Sequence, residues 1–176
     1  RRDVFQALNG FDEDFFMHQE EIDLCWRAQG LNIESYYCAK STIYHYGGGT
    51  LQSNNPIKNY YNHRNNLLLL LKNMSLKLLV TSLPLRLLMD YMLILYYLIL
   101  GIILLVQKLY VKESTKGFNN LKTSYLILCS HLSILIIYSK FIKKRAPVET
   151  KKIYKKSILF DYYVRSKRTF LQLNDF

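Results

Sequence analysis

The sequence predicts an α/β head followed by α-helical, membrane-associated segments, and three observations predict it. Residues 1–50 mix short helical and strand patterns around glycines, residues 91–106 form an unbroken apolar or aromatic run, and the charge is split between the two regions. Residues 1–50 hold four basic and eight acidic side chains, whereas residues 51–176 hold twenty basic and five acidic. The chain has 176 residues, half of them hydrophobic, which is enough for a core and excludes disorder as its general state. An acidic head joined to a basic, greasy tail implies two parts with different surroundings. The three cysteines lack CxxC spacing, so a disulfide framework or structural zinc site is not expected, and a reducing compartment is.

The elements follow in order. Residues 3–9 are a short amphipathic helix candidate stopped by Gly10. Phe11-Asp12-Glu13-Asp14-Phe15-Phe16 reads as an acidic turn between aromatics. From Glu20, the spacing of Ile22, Cys25, Trp26 and Gln29 is helical, with carboxylates in the first turn, where the helix dipole favours them, and Gly30 as the stop. Asp23 and Arg27 stand four apart and are expected to pair. Residues 33–37 and 42–46, rich in Tyr and Ile, read as two strands. Gly47-Gly48-Gly49 is a loop, and a helical pattern resumes from Lys58.

Two apolar runs then dominate. The first extends from Leu83 to Val106, interrupted by Pro84, Arg86 and Asp90; the second is Tyr125 to Tyr138, interrupted by Ser130, His131 and Ser133. Sixteen helical residues cover about 24 Å, less than the roughly 30 Å hydrocarbon core of a bilayer. Arg86 and Asp90 are an i,i+4 pair that would partly neutralise each other. Lysines flank both runs and a basic tail follows, a pattern that favours helices lying in or dipping into an anionic leaflet over a two-span hairpin. A buried hairpin in a soluble bundle fits less well, because residues 91–106 are apolar all round instead of on one stripe.

The candidate chemistry lies in the acidic head. Glu20 and Glu21 adjoin at a helix entrance, and a general base acting on a sugar hydroxyl is a carboxylate aimed into a cleft. Acidic first turns are also common in helices that do no chemistry. His45 precedes the triple glycine at a predicted strand end; such a histidine is usually structural, though it suits a metal ligand. Gly47, Gly48 and Gly49 admit a phosphate but lack the spacing of a P-loop or dinucleotide fingerprint. Asp12 and Glu13 fit a solvated turn equally well.

Together, residues 9–16 (NGFDEDFF), 20–27 (EEIDLCWR) and 44–50 (YHYGGGT), with Tyr60-Tyr61 and His63-Arg64-Asn65, resemble the second half of a family 2 glycosyltransferase of the GT-A fold, closest to bacterial rhamnosyltransferase-like members. The likeness covers residues 3–75 by motif and the remainder by character. It implies that residues 1–75 are the acceptor-side part of a catalytic domain, 76–142 membrane-associated or transmembrane helices, and 143–176 a basic cytoplasmic tail. It implies Glu21 as catalytic base with Glu20 beside it, Asp12 and Glu13 as acceptor-binding, the loop of Gly47, Gly48 and Gly49 over the donor, and His45 as a metal ligand. Glu21 stands where many relatives have Asp. The implied cofactor is a divalent metal (Mg²⁺ or Mn²⁺), bound mainly by an N-terminal half, with its Asp-x-Asp, that this sequence lacks; the chain is therefore expected to be a C-terminal fragment, inactive alone. The implied activity is inverting transfer from a nucleotide-diphospho-sugar to a lipid-linked glycan, at the cytoplasmic face of a bacterial plasma membrane, with anionic lipids as further partners. The alternative is a non-catalytic, membrane-anchored scaffold whose acidic head binds a partner. Nucleic acid is not expected as a partner, because the tail's position beside two apolar runs already accounts for its charge.

Overall fold

The computed structural model describes residues 1–36, 38–44, 46, 51–52, 55–108, 115–148 and 158–173. Six α-helices run through them: α1 (Arg2–Ala7), α2 (Glu20–Gly30), α3 (Ile57–Asn73), α4 (Leu76–Lys108), α5 (Thr115–Lys143) and α6 (Ile158–Tyr163). Single 3-10 turns lie at Glu13–Phe15 and Phe170–Gln172.

The expected α/β architecture is not what forms. The described residues are helical and contain no strand, so the chain is not an α/β GT-A domain. The two expected strands supply the physical reason. Backbone in a strand needs a neighbouring strand to take its N–H and C=O groups, and an isolated hairpin is marginal even when paired. No such neighbour exists among the described residues; Ile43 and Tyr44 project into solvent, at 88% and 97% exposed. Tyr37 and His45, one in each expected strand, lie outside the described residues.

A left-over helical scaffold carries everything else. In α5 two heptad-spaced rows face two different helices. Ile127, Ile134 and Phe141 turn toward the core, where Phe141 and Phe15 meet edge to face at 5.6 Å over Leu68 and Leu69 of α3, with Trp26 against them. Burying one such side chain contributes about 1.5–3 kcal/mol. Gly117, Ser124 and His131 form the other row, toward α4: Gly117 meets Gly101, the Ser124 hydroxyl donates to the Ile94 carbonyl at 3.1 Å, and His131 meets Asp90. The α4–α5 hairpin is therefore antiparallel, and α3 packs alongside the half of it that lies nearer the head.

The segments Leu76–Gln107 and Lys116–Lys143 are long and apolar enough to cross a membrane. Helix α4 is about 50 Å long and α5 about 43 Å, at 1.5 Å per residue, so both exceed the roughly 30 Å hydrocarbon core. The apolar runs underestimated the helices because polar residues at each end continue the same helix. Leu95, Ile99, Ile102, Ile103, Leu135 and Ile136 are exposed, which a core helix of a soluble bundle would not allow.

Candidate functional site

Helix α2 starts at Glu20 and ends at Gly30, where the spacing placed it. Its two faces have different fates. Asp23 is completely buried. Its carboxylate accepts from Arg27 at 2.7 Å, from the Lys72 ammonium at 2.9 Å and from the Asn73 amide at 2.8 Å. Arg27 then reaches the carbonyl oxygens of Leu8 and Gly10, fastening the end of α1 and the glycine turn, where Gly10 has φ +64°. Glu21, two residues before Asp23, is exposed.

The loop entering α2 is unusual. Phe16, His18 and Gln19 all have positive φ, at 61°, 64° and 75°, and none is glycine. Such backbone costs of order 1 kcal/mol or more per residue and persists only where surroundings enforce it. Asn65 of α3 is the enforcing group. Its fully buried side-chain amide lies 2.7, 2.5 and 3.0 Å from the carbonyl oxygens of Phe15, Met17 and His18. Arg64 donates to the carbonyls of Asp14 and Phe15 and lies over the rings of Tyr60 and Tyr61. Gln19 donates to Asn62 at 3.1 Å. The turn leading into the acidic pair is thus held by three side chains of α3, Asn62, Arg64 and Asn65, while His63 between them faces away toward α4.

Glu20 and Glu21, adjacent in sequence, stand in the first turn of α2. The Glu20 Oε2 atom is buried and has no hydrogen-bond partner, and the same holds for Nε2 of His18 in the strained loop. Buried polar atoms are paired in the great majority of cases, so these two are exceptions at the entrance to α2.

Asp12 and Glu13 lie elsewhere. They line a cavity of about 1130 Å³ with Asn9, Phe11, Lys72 and Lys144, and neither Glu20 nor Glu21 is among its lining residues. The Asp12 carboxylate is engaged at 2.8 Å by Lys72 and at 2.6 Å by Lys144, and Asp14 is engaged by Lys140 and Lys144, each at 2.5 Å. Burial pushes the Asp12 carboxyl up, but the hydrogen bonds from Lys144 and Lys72 outweigh it and hold the group down at about 2. Asp14 is lowered by the same balance, burial against its two lysines. Lys144 is raised: burial opposes its charge, and the two aspartates more than offset that.

These ion pairs bear on metal binding at the Asp12–Asp14 turn. Asp12 and Asp14 already have lysine ammonium groups on their carboxylates, so this turn does not fit a divalent ion. His45, Gly47, Gly48 and Gly49 lie outside the described residues. Among the described residues, the three-residue set with metal-capable atoms within 4.8 Å of one another is His63, Asp90 and His131, deep between α3, α4 and α5.

No family model, curated protein or solved structure matches this chain.

Sequence reasoning did not find Asn65, Lys72 or Asn73 as partners of the acidic head. Lys72 and Asn73 had a signal of a kind, as polar residues directly after a five-leucine run in a helix. Their depth is not visible in the sequence, because which face of α3 is covered depends on α5, which begins only at Thr115.

Proposed function

We propose that this chain is the acceptor-side, membrane-anchoring part of an inverting glycosyltransferase, with Glu21 as the base that deprotonates the acceptor hydroxyl. The observation that carries the reading is the strained loop from Phe16 to Gln19, clamped by Asn65, that delivers Glu20 and Glu21 at the head of α2. Backbone strain fixed by a dedicated buried amide is the usual accompaniment of a positioned reactive group. The reading asks of this chain only an acidic helix and its brace, and no β-sheet.

In this mechanism the Glu21 carboxylate takes the proton of an acceptor hydroxyl as that oxygen attacks the anomeric carbon in line and the nucleoside diphosphate leaves. Glu20 stands beside it in the same first turn of α2. Asp23, Arg27 and Lys72 touch no substrate; they keep α2 fixed against α3. Because α3 leads directly into α4, the carboxylates are held at a set place relative to the apolar hairpin, where a lipid-linked acceptor is concentrated. The donor is a nucleotide-diphospho-sugar, and the hairpin sits in the plasma membrane with the acidic head and basic tail on the cytoplasmic side, against anionic lipids. A divalent metal would stabilise the leaving diphosphate, and the described residues of the head do not supply its ligands.

A membrane-anchored interaction module is the second reading, favoured by Asp12 being engaged by two lysines instead of facing a sugar. One experiment separates them. Membranes containing the protein, with whatever sequence its gene places upstream, are assayed for nucleoside diphosphate released from a panel of nucleotide-sugars. Release that falls about a hundredfold or more in Glu21→Gln supports a general base. Equal behaviour of wild type and variant, or no release from any donor, sinks the catalytic reading and leaves the interaction module.

A further inference from the structure

Asp90 is 1% exposed in the middle of the apolar helix α4, and three cationic or metal-capable side chains converge on it. His63 of α3 places Nδ1 2.9 Å from Oδ1, His131 of α5 places Nε2 3.1 Å from Oδ2, and Arg86, one turn earlier in α4, places Nη2 3.1 Å from Oδ1. A polar group buried in so apolar a segment is costly and is a functional candidate by default. We propose that His63, Asp90 and His131 form a binding site for a divalent cation of the zinc class, which fastens α3 to the α4–α5 hairpin.

The donor set and its spacing argue for this. Two imidazoles and one carboxylate from three different helices make a ligand set of the kind used for zinc and its neighbours in bundle cores. Bonds of about 2.0–2.2 Å to a shared ion place ligand atoms about 3–3.5 Å apart, close to the distances already present between the carboxylate and each ring. The metal-free arrangement also contains a conflict. Nδ1 of His63 lies 2.9 Å from Asp90 Oδ1 and 3.3 Å from Arg86 Nη2. It either donates to the carboxylate or accepts from the guanidinium, and one atom cannot do both. An ion shared by Nδ1 and Oδ1 uses both lone pairs. Tyr91 meets the His131 ring edge to face at 5.3 Å and sets its orientation.

Arg86 has a definite part. Its Nε is buried without a hydrogen-bond partner, yet its side chain is 29% exposed, so it has a path outward. In the metal-free protein the guanidinium neutralises Asp90; on metal binding it moves aside. Arg86 is therefore a competitor for the ion, which a purely hydrogen-bonded cluster does not require.

The test uses the full chain in detergent or nanodiscs, with Cys25, Cys38 and Cys129 changed to Ser so that thiolates cannot bind the probe. After dialysis against chelator, Co²⁺ is added and the visible d–d bands are followed, then Zn²⁺ is used to displace it. The expected result is about one ion per chain, with affinity reduced about tenfold or more in His63→Ala and in His131→Gln. Arg86→Gln, which keeps all three ligands, is expected to bind Co²⁺ more tightly and to gain thermal stability from Zn²⁺. No cobalt bands in the parent and in Arg86→Gln, or bands unchanged by both histidine substitutions, would overturn the proposal and leave a hydrogen-bonded staple. The readout is independent of sugar transfer, so it stands or falls separately from the proposed function.

Discussion

The Lys72 ammonium lies 2.9 Å from the Asp23 carboxylate; both side chains are buried, and the two residues stand forty-nine positions apart on two different helices. This pair, with Arg27 and Asn73 around it, makes α2 and α3 one body. Removing one member of a buried pair costs up to about 3–5 kcal/mol where the other charge is left alone, and less here because Lys72 keeps Asp12 at 2.8 Å. Asp23→Asn is therefore expected to lower the unfolding midpoint strongly in a chemical melt in detergent. Asp23→Asn with Lys72→Met is expected to lower it by clearly less than the sum of the single changes. Additive losses would show that the two side chains do not share one interaction.

Asp12 supplies a pH dependence. Its carboxyl is held at about 2 in the folded protein against a usual 3.8, and its side chain is only 9% exposed. With the folded value below the unfolded one, the stabilisation is fully present above about pH 4 and is lost as pH falls through that window toward 2. The shift corresponds to about 2 kcal/mol. Stability measured from pH 6 down to pH 2.5 is expected to fall less steeply in Asp12→Asn than in the parent. Parallel curves would mean that Lys72 and Lys144 do not hold this carboxylate.

Some of this was legible in the sequence and some was not, for local and non-local reasons respectively. The bounds of α2, the Asp23–Arg27 pair at 2.7 Å and the Arg86–Asp90 pair at 3.1 Å follow from helical spacing alone, and all three formed. The expected strands at 33–37 and 42–46 have the right side chains, but a strand is a property of two segments, and the described chain offers no second one. Asn65, Lys72 and the partners of Asp90 depend on which face of α3 meets α5. Their only trace was polar residues inside apolar runs, among them Asp90 and His131.

Asn65 connects structure to the proposed chemistry. Asn65→Ala removes the donor from three carbonyl groups and releases a loop whose φ values at 16, 18 and 19 are positive. Leaving buried acceptors unsatisfied costs about 1–3 kcal/mol. Hydrogen exchange is expected to accelerate at the amides of residues 16–21, while those of 127–141 keep their protection. Uniform acceleration across both stretches would assign Asn65 to global stability and remove its positioning role.

The hairpin depends on a close approach of two glycines. A Cβ at Gly101 would stand 3.2 Å from the Gly117 carbonyl oxygen and 2.7 Å from a methyl of Leu121; a Cβ at Gly117 would stand 3.1 Å from the Gly101 carbonyl oxygen. Small residues at such a crossing let helix backbones pack where lipid gives no hydrophobic drive for association. The Leu121 methyl can move, but a helix backbone cannot yield without separating the pair. Gly117→Val is thus expected to open the hairpin more than Gly101→Ala. Spin labels at Ile102 and Lys116, both exposed, report the separation of α4 and α5 in nanodiscs. The mean distance is expected to lengthen by several ångströms in Gly117→Val, since ordinary interaxial distances of 8–10 Å are regained once a side chain intervenes. An unchanged distance would show that the rest of the α4–α5 contact, Asp90 and Ser124 included, holds the helices together, with the glycine contact incidental.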